Sequence, residues 1–378
     1  MHLMIPGPVP VAPDVSARCA GAPSHVSASF ITAMGDTLGH LRTVWQAAAD
    51  AQPFVVAGAG TLAMEAAVVN LVEPGNRVVV VVTGLFGDRM AEMLRRRGAQ
   101  VAIVRAPVGS VPDLSDVEEA LDDGAVALFA THVDTSTGVR LDPEPLARLA
   151  RSRGVLSVFD GVCAAAAEPF HMSDWGADVY LTASQKALSV PPGLAVWLMS
   201  SAAMARRRQL GSFPPLSLDA LAWLPVMQAY EEGRGAYFST PATGLVLGLA
   251  ASVGALVEEG MPAVWARHAR TASKMRRAWA ALGLQLVAED GLAASTLSAL
   301  RYPADVGSEL LPAIRRHGVV VAGGLHPALK ESTFRVGHMG WAITQPDMLE
   351  DTVRAVARGL SDVGVPADEE AALAAFRS

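Results

Sequence analysis

Lys186 stands where lysines are rare. It follows the short apolar run Val179–Leu181 and sits among small residues in Thr182-Ala183-Ser184-Gln185-Lys186, ahead of Ala187-Leu188 and Pro191-Pro192-Gly193. Lysines usually occupy solvated faces. Taken out of water, an amine loses its proton more readily and becomes a nucleophile for carbonyl compounds. The plainer alternative is a lysine ion-paired at the surface. Asp160 lies upstream, after the apolar run Val155–Phe159 and before Gly161. An acid at the carboxyl end of a parallel strand can meet a cationic ligand, or it can simply cap the next turn. The third signal is Gly58-Ala59-Gly60-Thr61 before the helical run Leu62–Leu71. A glycine turn opening a helix offers bare N–H groups and a positive dipole end to an anion such as phosphate.

Residues 58–63 also fit G-x-G-x-x-A, the dinucleotide fingerprint. That reading needs an acid at the end of the next strand to hold a ribose. The next run, Val78–Val82, passes into Thr83-Gly84 with no acid, and no clear long strand precedes the turn. Nicotinamide binding is therefore disfavoured.

The elements that must carry these residues follow from hydrophobic pattern. Apolar runs at Arg77–Val82, Val101–Arg105, Val126–Thr131, Val155–Phe159, Val179–Thr182 and Leu194–Met199 read as strands buried on both faces. Helical signals alternate with them. Asp142-Pro143 predicts an N-cap with proline at the first helical position, and that helix ends at Gly154. Arg89–Arg97 predicts another, with Met90, Met93 and Leu94 on one side and Gly98 as its stop. The expectation is a doubly wound α/β domain with a mostly parallel sheet. Beyond residue 258 the pattern changes to a smaller α+β domain. Helices are expected over Ala263–Leu282, Asp305–His317 and a last segment carrying Leu349, Val353, Val356 and Leu360. Strands are expected at Gln285–Ala288, Thr296–Tyr302, Val319–Ala322 and Thr333–Val336. The domain reading is 15–257 for the large domain. Residues 1–14, an N-terminal arm across the junction, join 258–378 in the small one.

Composition limits the function classes. With 51% apolar and 18% charged residues, the chain can bury a large core and is no disordered polymer. Its formal net charge is −7, and the one tight basic cluster, Arg95-Arg96-Arg97, completes a helix end. No nucleic-acid partner is expected. The uncharged stretch Thr240–Val257, opened by Pro241, is short for a membrane span and reads as a buried core helix. The two cysteines, Cys19 and Cys163, form neither a disulfide framework nor a metal-ligand spacing, so no metal is expected. Met1–Pro10 has no basic leader, which points to the cytoplasm.

A phosphate turn, an acid and a lysine in this order resemble the fold type I enzymes of pyridoxal 5'-phosphate. The details resemble class V aminotransferases, in the alanine–glyoxylate and serine–pyruvate branch. The likeness runs from Ile5-Pro6-Gly7-Pro8 to Phe334-Arg335-Val336-Gly337-His338-Met339-Gly340. It is most specific at Thr131-His132-Val133-Asp134-Thr135-Ser136-Thr137-Gly138, Asp160-Gly161-Val162-Cys163, Ser184-Gln185-Lys186-Ala187 and Gly235-Ala236-Tyr237-Phe238-Ser239-Thr240-Pro241.

The resemblance implies that Lys186 holds the cofactor as a Schiff base and that Asp160 pairs with its ring nitrogen. It implies Gly60 and Thr61 on the phosphate, with Gln185 as a side-chain donor. Thr135 falls near the ring hydroxyl, with Phe86 on one ring face and Val162 on the other. Tyr237 and Thr240 match residues that reach the neighbouring subunit's phosphate, which implies a homodimer with shared sites. Arg335, assisted by the Gly7 backbone, would clamp a substrate carboxylate. His132 and His338 are read as structural, and Cys163 as packing, with no cysteine suited to a desulfurase. The expected activity is transfer of an amino group from a small amino acid of the alanine or serine type to a 2-oxo acid of the glyoxylate or pyruvate type. A lyase or a C–C or C–N bond-forming enzyme on the same scaffold is the alternative. One stretch departs from the family pattern: Ser24-His25-Val26-Ser27-Ala28-Ser29-Phe30 lacks the usual Pro and Glu, at Ala28 and Ser29. This leaves the substrate open.

Overall fold

The computed structural model describes residues 1–122 and 124–378. Seven strands make its main sheet: β1 (Gln52–Ala57), β2 (Arg77–Val82), β3 (Gln100–Arg105), β4 (Ala127–Thr131), β5 (Leu156–Asp160), β6 (Val179–Ala183) and β7 (Leu194–Met199). They lie in the order β1-β7-β6-β5-β4-β2-β3. All but β7 run the same way; β7 is antiparallel to both β1 and β6. Burial on both faces explains the sequence of β2, whose five successive valines are all buried. Because six strands share one direction, their carboxyl ends open onto the same edge.

Several boundaries differ from the sequence reading. A strand does precede the glycine turn: β1 was hidden by Pro53, which an edge strand tolerates because its missing N–H need not join a ladder. The dinucleotide reading still fails, since β2 ends without an acid. The helix expected from Arg89 begins at Leu85. The first N–H groups of this helix are met from far along the chain: Leu85 N donates to Ser136 Oγ (3.0 Å) and Phe86 N to Asp134 Oδ2 (2.9 Å). We call the helix Gly60–Leu71 α1 and the helix Leu85–Arg96 α2. The helix Pro143–Ser152 starts as expected, with the Asp142 carboxylate accepting the Glu144 N–H at 3.1 Å.

The second body carries an antiparallel sheet of β8 (Leu297–Arg301), β9 (Ala322–Gly323) and β10 (Thr333–Gly337), in the order β8-β10-β9. The strand expected at Gln285–Ala288 is only an isolated bridge between Leu286 and Leu300. The run Val319–Ala322 divides, because Val319–Val320 pairs with His2–Leu3 while Ala322 and Gly323 pair with β10. The helix expected over Asp305–His317 shortens to Leu310–Arg316, since Glu309 closes a turn on the Gly307 N–H at 2.8 Å. Glu369–Arg377 adds a helix that was not expected.

One apolar core fills the main sheet and its helices; a second gathers Met4, Trp279, Phe334, Val353, Leu360 and Phe376. The helix Met261–Ala281 serves both, with Val264 in the first and Met275 in the second. The N-terminal arm crosses between them. Met4 N donates to Val320 O at 2.8 Å, and Val9 N to Gln185 O at 3.1 Å. The uncharged run becomes the helix Thr243–Glu259, but it is no fully buried core helix: only Val246, Gly248, Leu249 and Val253 are buried. Among the described residues no single helix is long and apolar enough to cross a membrane.

Candidate active site

The turns at the carboxyl ends of β1, β2, β4, β5 and β6 enclose a cavity of about 170 Å³. Its wall includes Gly60, Thr61, Phe86, Thr135, Asp160, Val162, Gln185 and Lys186, together with Ala59, Met64, Arg89, Val133 and Cys163. Residues from five separate turns thus meet because parallel strands end together. A larger depression of about 400 Å³, lined by Asp50, Arg151, Asp178 and Ser200, lies at the amino ends of β5 and β6. Ligands of open α/β sheets sit at the other edge.

Lys186 Nζ donates to Pro6 O on the N-terminal arm. Gly7 lies against it: a Cβ there would stand 2.6 Å from Nζ. Burial lowers the Lys186 pKa, and the Arg335 charge works the same way, while Cys163 and Asp160 oppose them. Asp160 is 2% exposed. Burial pushes its carboxyl up to about 6; nearby Asp134 adds to the rise, while the Val162 N–H, Lys186 and Arg89 work against it. Asp160 Oδ1 accepts the Val162 N–H at 2.9 Å, and no donor among the described residues meets Oδ2.

The backbone of Asp160 is also held. His132 N donates to Asp160 O at 2.9 Å, and the His132 Nδ1 lies 2.9 Å from the Tyr180 hydroxyl. Burial takes the His132 pKa down to about 3, so the ring is neutral. His338 is likewise held neutral by burial, its pKa down at about 3, and it lies between Ser298 Oγ (2.9 Å) and Ser295 O (3.2 Å).

The opening of α1 forms a cradle. Gly60 and Thr61 carry N–H groups that precede the first helical carbonyl bond, and a Cβ on Gly60 would stand 2.8 Å from Val162 Cγ2. Arg335, from β10, is outside the cavity wall, as is Gly7, but is bonded to it: it donates through Nε to Gly323 O (2.9 Å) and through Nη1 to Thr135 O (3.3 Å). These bonds fix the guanidinium plane and leave Nη2 without a partner among the described residues.

Tyr237 and Thr240 do not line this cavity. Tyr237 is 67% exposed, and its ring lies 5.4 Å from that of His25, in the segment that departs from the family pattern. Two polar wall residues, Cys163 and Arg89, and one residue behind the wall, Asp134, were given no role from the sequence. Cys163, read as packing, is buried yet faces the cavity. Asp134 is fully buried and its carboxylate anchors the start of α2. Arg89 was counted only as part of a helix; its place three residues after Phe86 was the available signal.

The donor set suits pyridoxal phosphate. A buried amine would suit its carbonyl, a carboxylate with an unused oxygen its ring cation, and a helix N-terminus its phosphate. Among the described residues the buried Gln185 Oε1 has no partner, so a ligand donor would satisfy it.

The sheet order and this edge-on site are those of the fold type I class of pyridoxal-phosphate enzymes. The Aminotransferase class-V sequence profile matches residues 14–349. Alanine–glyoxylate aminotransferase 1 of Saccharomyces cerevisiae is 36% identical over 89% of this chain and 91% of its own length. Among solved structures, alanine–glyoxylate aminotransferase from Nostoc sp. superposes with a TM-score of 0.88 at 29% identity, over 95% of this chain and 94% of that one. Pyridoxamine–pyruvate aminotransferase from Mesorhizobium loti reaches 0.92 at 25% identity, over 100% of this chain and 96% of that one. The chain belongs to the class V aminotransferase family.

Proposed function

We propose that this protein uses pyridoxal 5'-phosphate to move an amino group from a small amino acid, of the alanine or serine type, to a 2-oxo acid of the glyoxylate or pyruvate type. The observation that carries the reading is the placement of Lys186 and Asp160 around one cavity with the α1 N-terminus. The names of the yeast and Nostoc relatives support the choice of acceptor.

When bound, the cofactor supplies an electrophilic carbonyl and a ring that draws electron density from the substrate α-carbon. The chain's residues do the rest. Lys186 Nζ, its pKa lowered by burial, is the base that takes and returns the α-carbon proton. Asp160 holds a proton on a cationic ring nitrogen through Oδ2. Gly60 and Thr61 bind phosphate through their N–H groups, and the Gln185 side chain adds a polar contact. Thr135 stands near the ring hydroxyl. Phe86 and Val162 hold the two ring faces and exclude water. Arg335 orients the substrate carboxylate through Nη2, with Gly7 beside it. Tyr237 and Thr240, exposed in the single chain, reach the phosphate end of a second copy's site in a homodimer.

Two half-reactions make the test simple. With alanine or serine alone, the loaded enzyme is expected to release one equivalent of oxo acid and accumulate pyridoxamine phosphate. Glyoxylate or pyruvate then restores the starting absorbance. Lys186→Ala should lower turnover by at least about a thousandfold. Release of ammonia or a β-substituent, without pyridoxamine phosphate, would overturn transamination in favour of a lyase.

A further inference from the structure

The cavity wall holds one cation that the proposed reaction has not used. Arg89 lies on α2, one turn after Phe86, and lines the same cavity as Gly60, Thr61 and Met64 of α1. Its guanidinium carbon stands 4.7 Å from the Phe86 ring centroid, a cation–π distance that fixes the group against the ring. Asp88, the acid next to it, is taken by Arg105. Among the described residues Arg89 has neither a hydrogen-bond acceptor nor an ion-pair partner, although its charge reaches Asp160. A half-buried arginine left so at a helix N-terminus is prepared for an anion from outside the chain.

The balance of charge says which anion. Lys186, Arg89 and Asp160 are the wall's lysine, arginine and carboxylate side chains. Lys186 is committed to the cofactor's carbonyl and Asp160 to a ring cation. A phosphate monoester brings up to two negative charges, while the N-terminus of α1 offers only about half a positive one. We infer that Arg89 holds the phosphate group of the cofactor jointly with the Gly60 and Thr61 N–H groups. The inference rests on the proposed use of pyridoxal phosphate.

The test is affinity rather than turnover. Cofactor-free wild type, Arg89→Gln and Arg89→Lys are titrated with pyridoxal phosphate and with pyridoxal, each with and without inorganic phosphate, and followed by tryptophan fluorescence. Melting curves confirm that all three are folded. Arg89→Gln is expected to bind pyridoxal phosphate about tenfold or more weakly, as loss of a charge-assisted contact implies. It should bind pyridoxal as wild type does, and its affinity should depend less on salt. Arg89→Lys should recover part of the loss, because the charge remains and the fork does not.

Equal losses for both ligands would show Arg89 acting through the Phe86 ring and would overturn the inference. So would unchanged binding of both. A rise in KM confined to dicarboxylate donors, with cofactor affinity intact, would move the cation to the substrate end and overturn it as well. If wild type binds no pyridoxal phosphate, the proposed function itself falls; if wild type binds and Arg89→Gln matches it, only this inference does.

Discussion

Asp160 and Lys186 pull each other's chemistry in opposite directions, and burial sets both. In the cofactor-free protein the Asp160 carboxyl keeps its proton up to about pH 6, against 3.8 for the free group. The folded state therefore binds the extra proton, and ionisation costs stability progressively as pH rises from about 4 to 6 and fully above. That shift corresponds to roughly 3 kcal/mol. Cofactor-free Asp160→Asn should accordingly resist urea better than wild type at pH 7.5, with the gap closing by pH 4. Binding of a cationic ring has the opposite sign, since it needs the ionised carboxylate. Wild-type affinity for pyridoxal phosphate should weaken as pH falls through about 6, and Asp160→Asn should lose that dependence along with most of its activity. Equal stabilities of the two cofactor-free proteins at pH 7.5 would contradict the burial argument.

At the scale of elements, the site depends on how each turn is pinned. The loop after Lys186 closes with Ser189 N donating to Lys186 O (2.8 Å), while Ser189 Oγ accepts the Trp341 N–H (2.7 Å). Ser189 adopts φ 52°, a left-handed conformation unusual for a residue with a Cβ. Gly340 makes this possible: it has φ 66°, and a Cβ there would stand 2.1 Å from Ser189 Oγ. Gly340→Ala is expected to cost about 1–3 kcal/mol of stability. It should also weaken cofactor binding by displacing the lysine loop, as thermal melts with and without pyridoxal phosphate would show. The start of α2 is pinned from elsewhere. Ser136→Ala removes the acceptor of the Leu85 N–H, so about 1 kcal/mol of stability should go with it. Phe86 should then stack less well, which a weaker affinity for pyridoxal as well as its phosphate would report.

The whole molecule joins two cores through one helix, a few cross-links and the N-terminal arm. Glu168, buried in the large body, accepts from the Ser295 backbone and hydroxyl ahead of β8. The Lys186 amine reaches the arm at Pro6, whose neighbours Met4 and Gly337 tie it to β10. The strand that carries Arg335 is thus tied to the arm that touches the lysine. The exposed Tyr237 and Thr240 lead to a prediction about assembly. In the proposed homodimer, the Lys186→Ala and Tyr237→Ala variants should each be impaired. A hybrid of the two should regain about half of wild-type activity per dimer, because one site then has both its own lysine and its partner's tyrosine. Hybrids no more active than the parents would sink the shared-site arrangement.

The sequence by itself determined the parallel strands β2 to β6 and the order of glycine turn, acid and lysine. Burial on both faces forces the apolar runs, and parallel strands bring their following turns to one edge. Motif spacing then made the family recognisable. Other features were decided only by the tertiary structure. Asp134 and Ser136 start α2 from 48 and 51 residues away. Pro6 meets Lys186 across 180 residues. The division of Val319–Ala322 between two partners, and the arrival of Arg89 and Cys163 in the cavity wall, are of the same kind. Hydrophobic period reports which face of one element is buried. It carries no information about which distant atom will meet an unpaired N–H or an uncompensated charge, and those meetings are what turn a lysine in an odd place into part of a site.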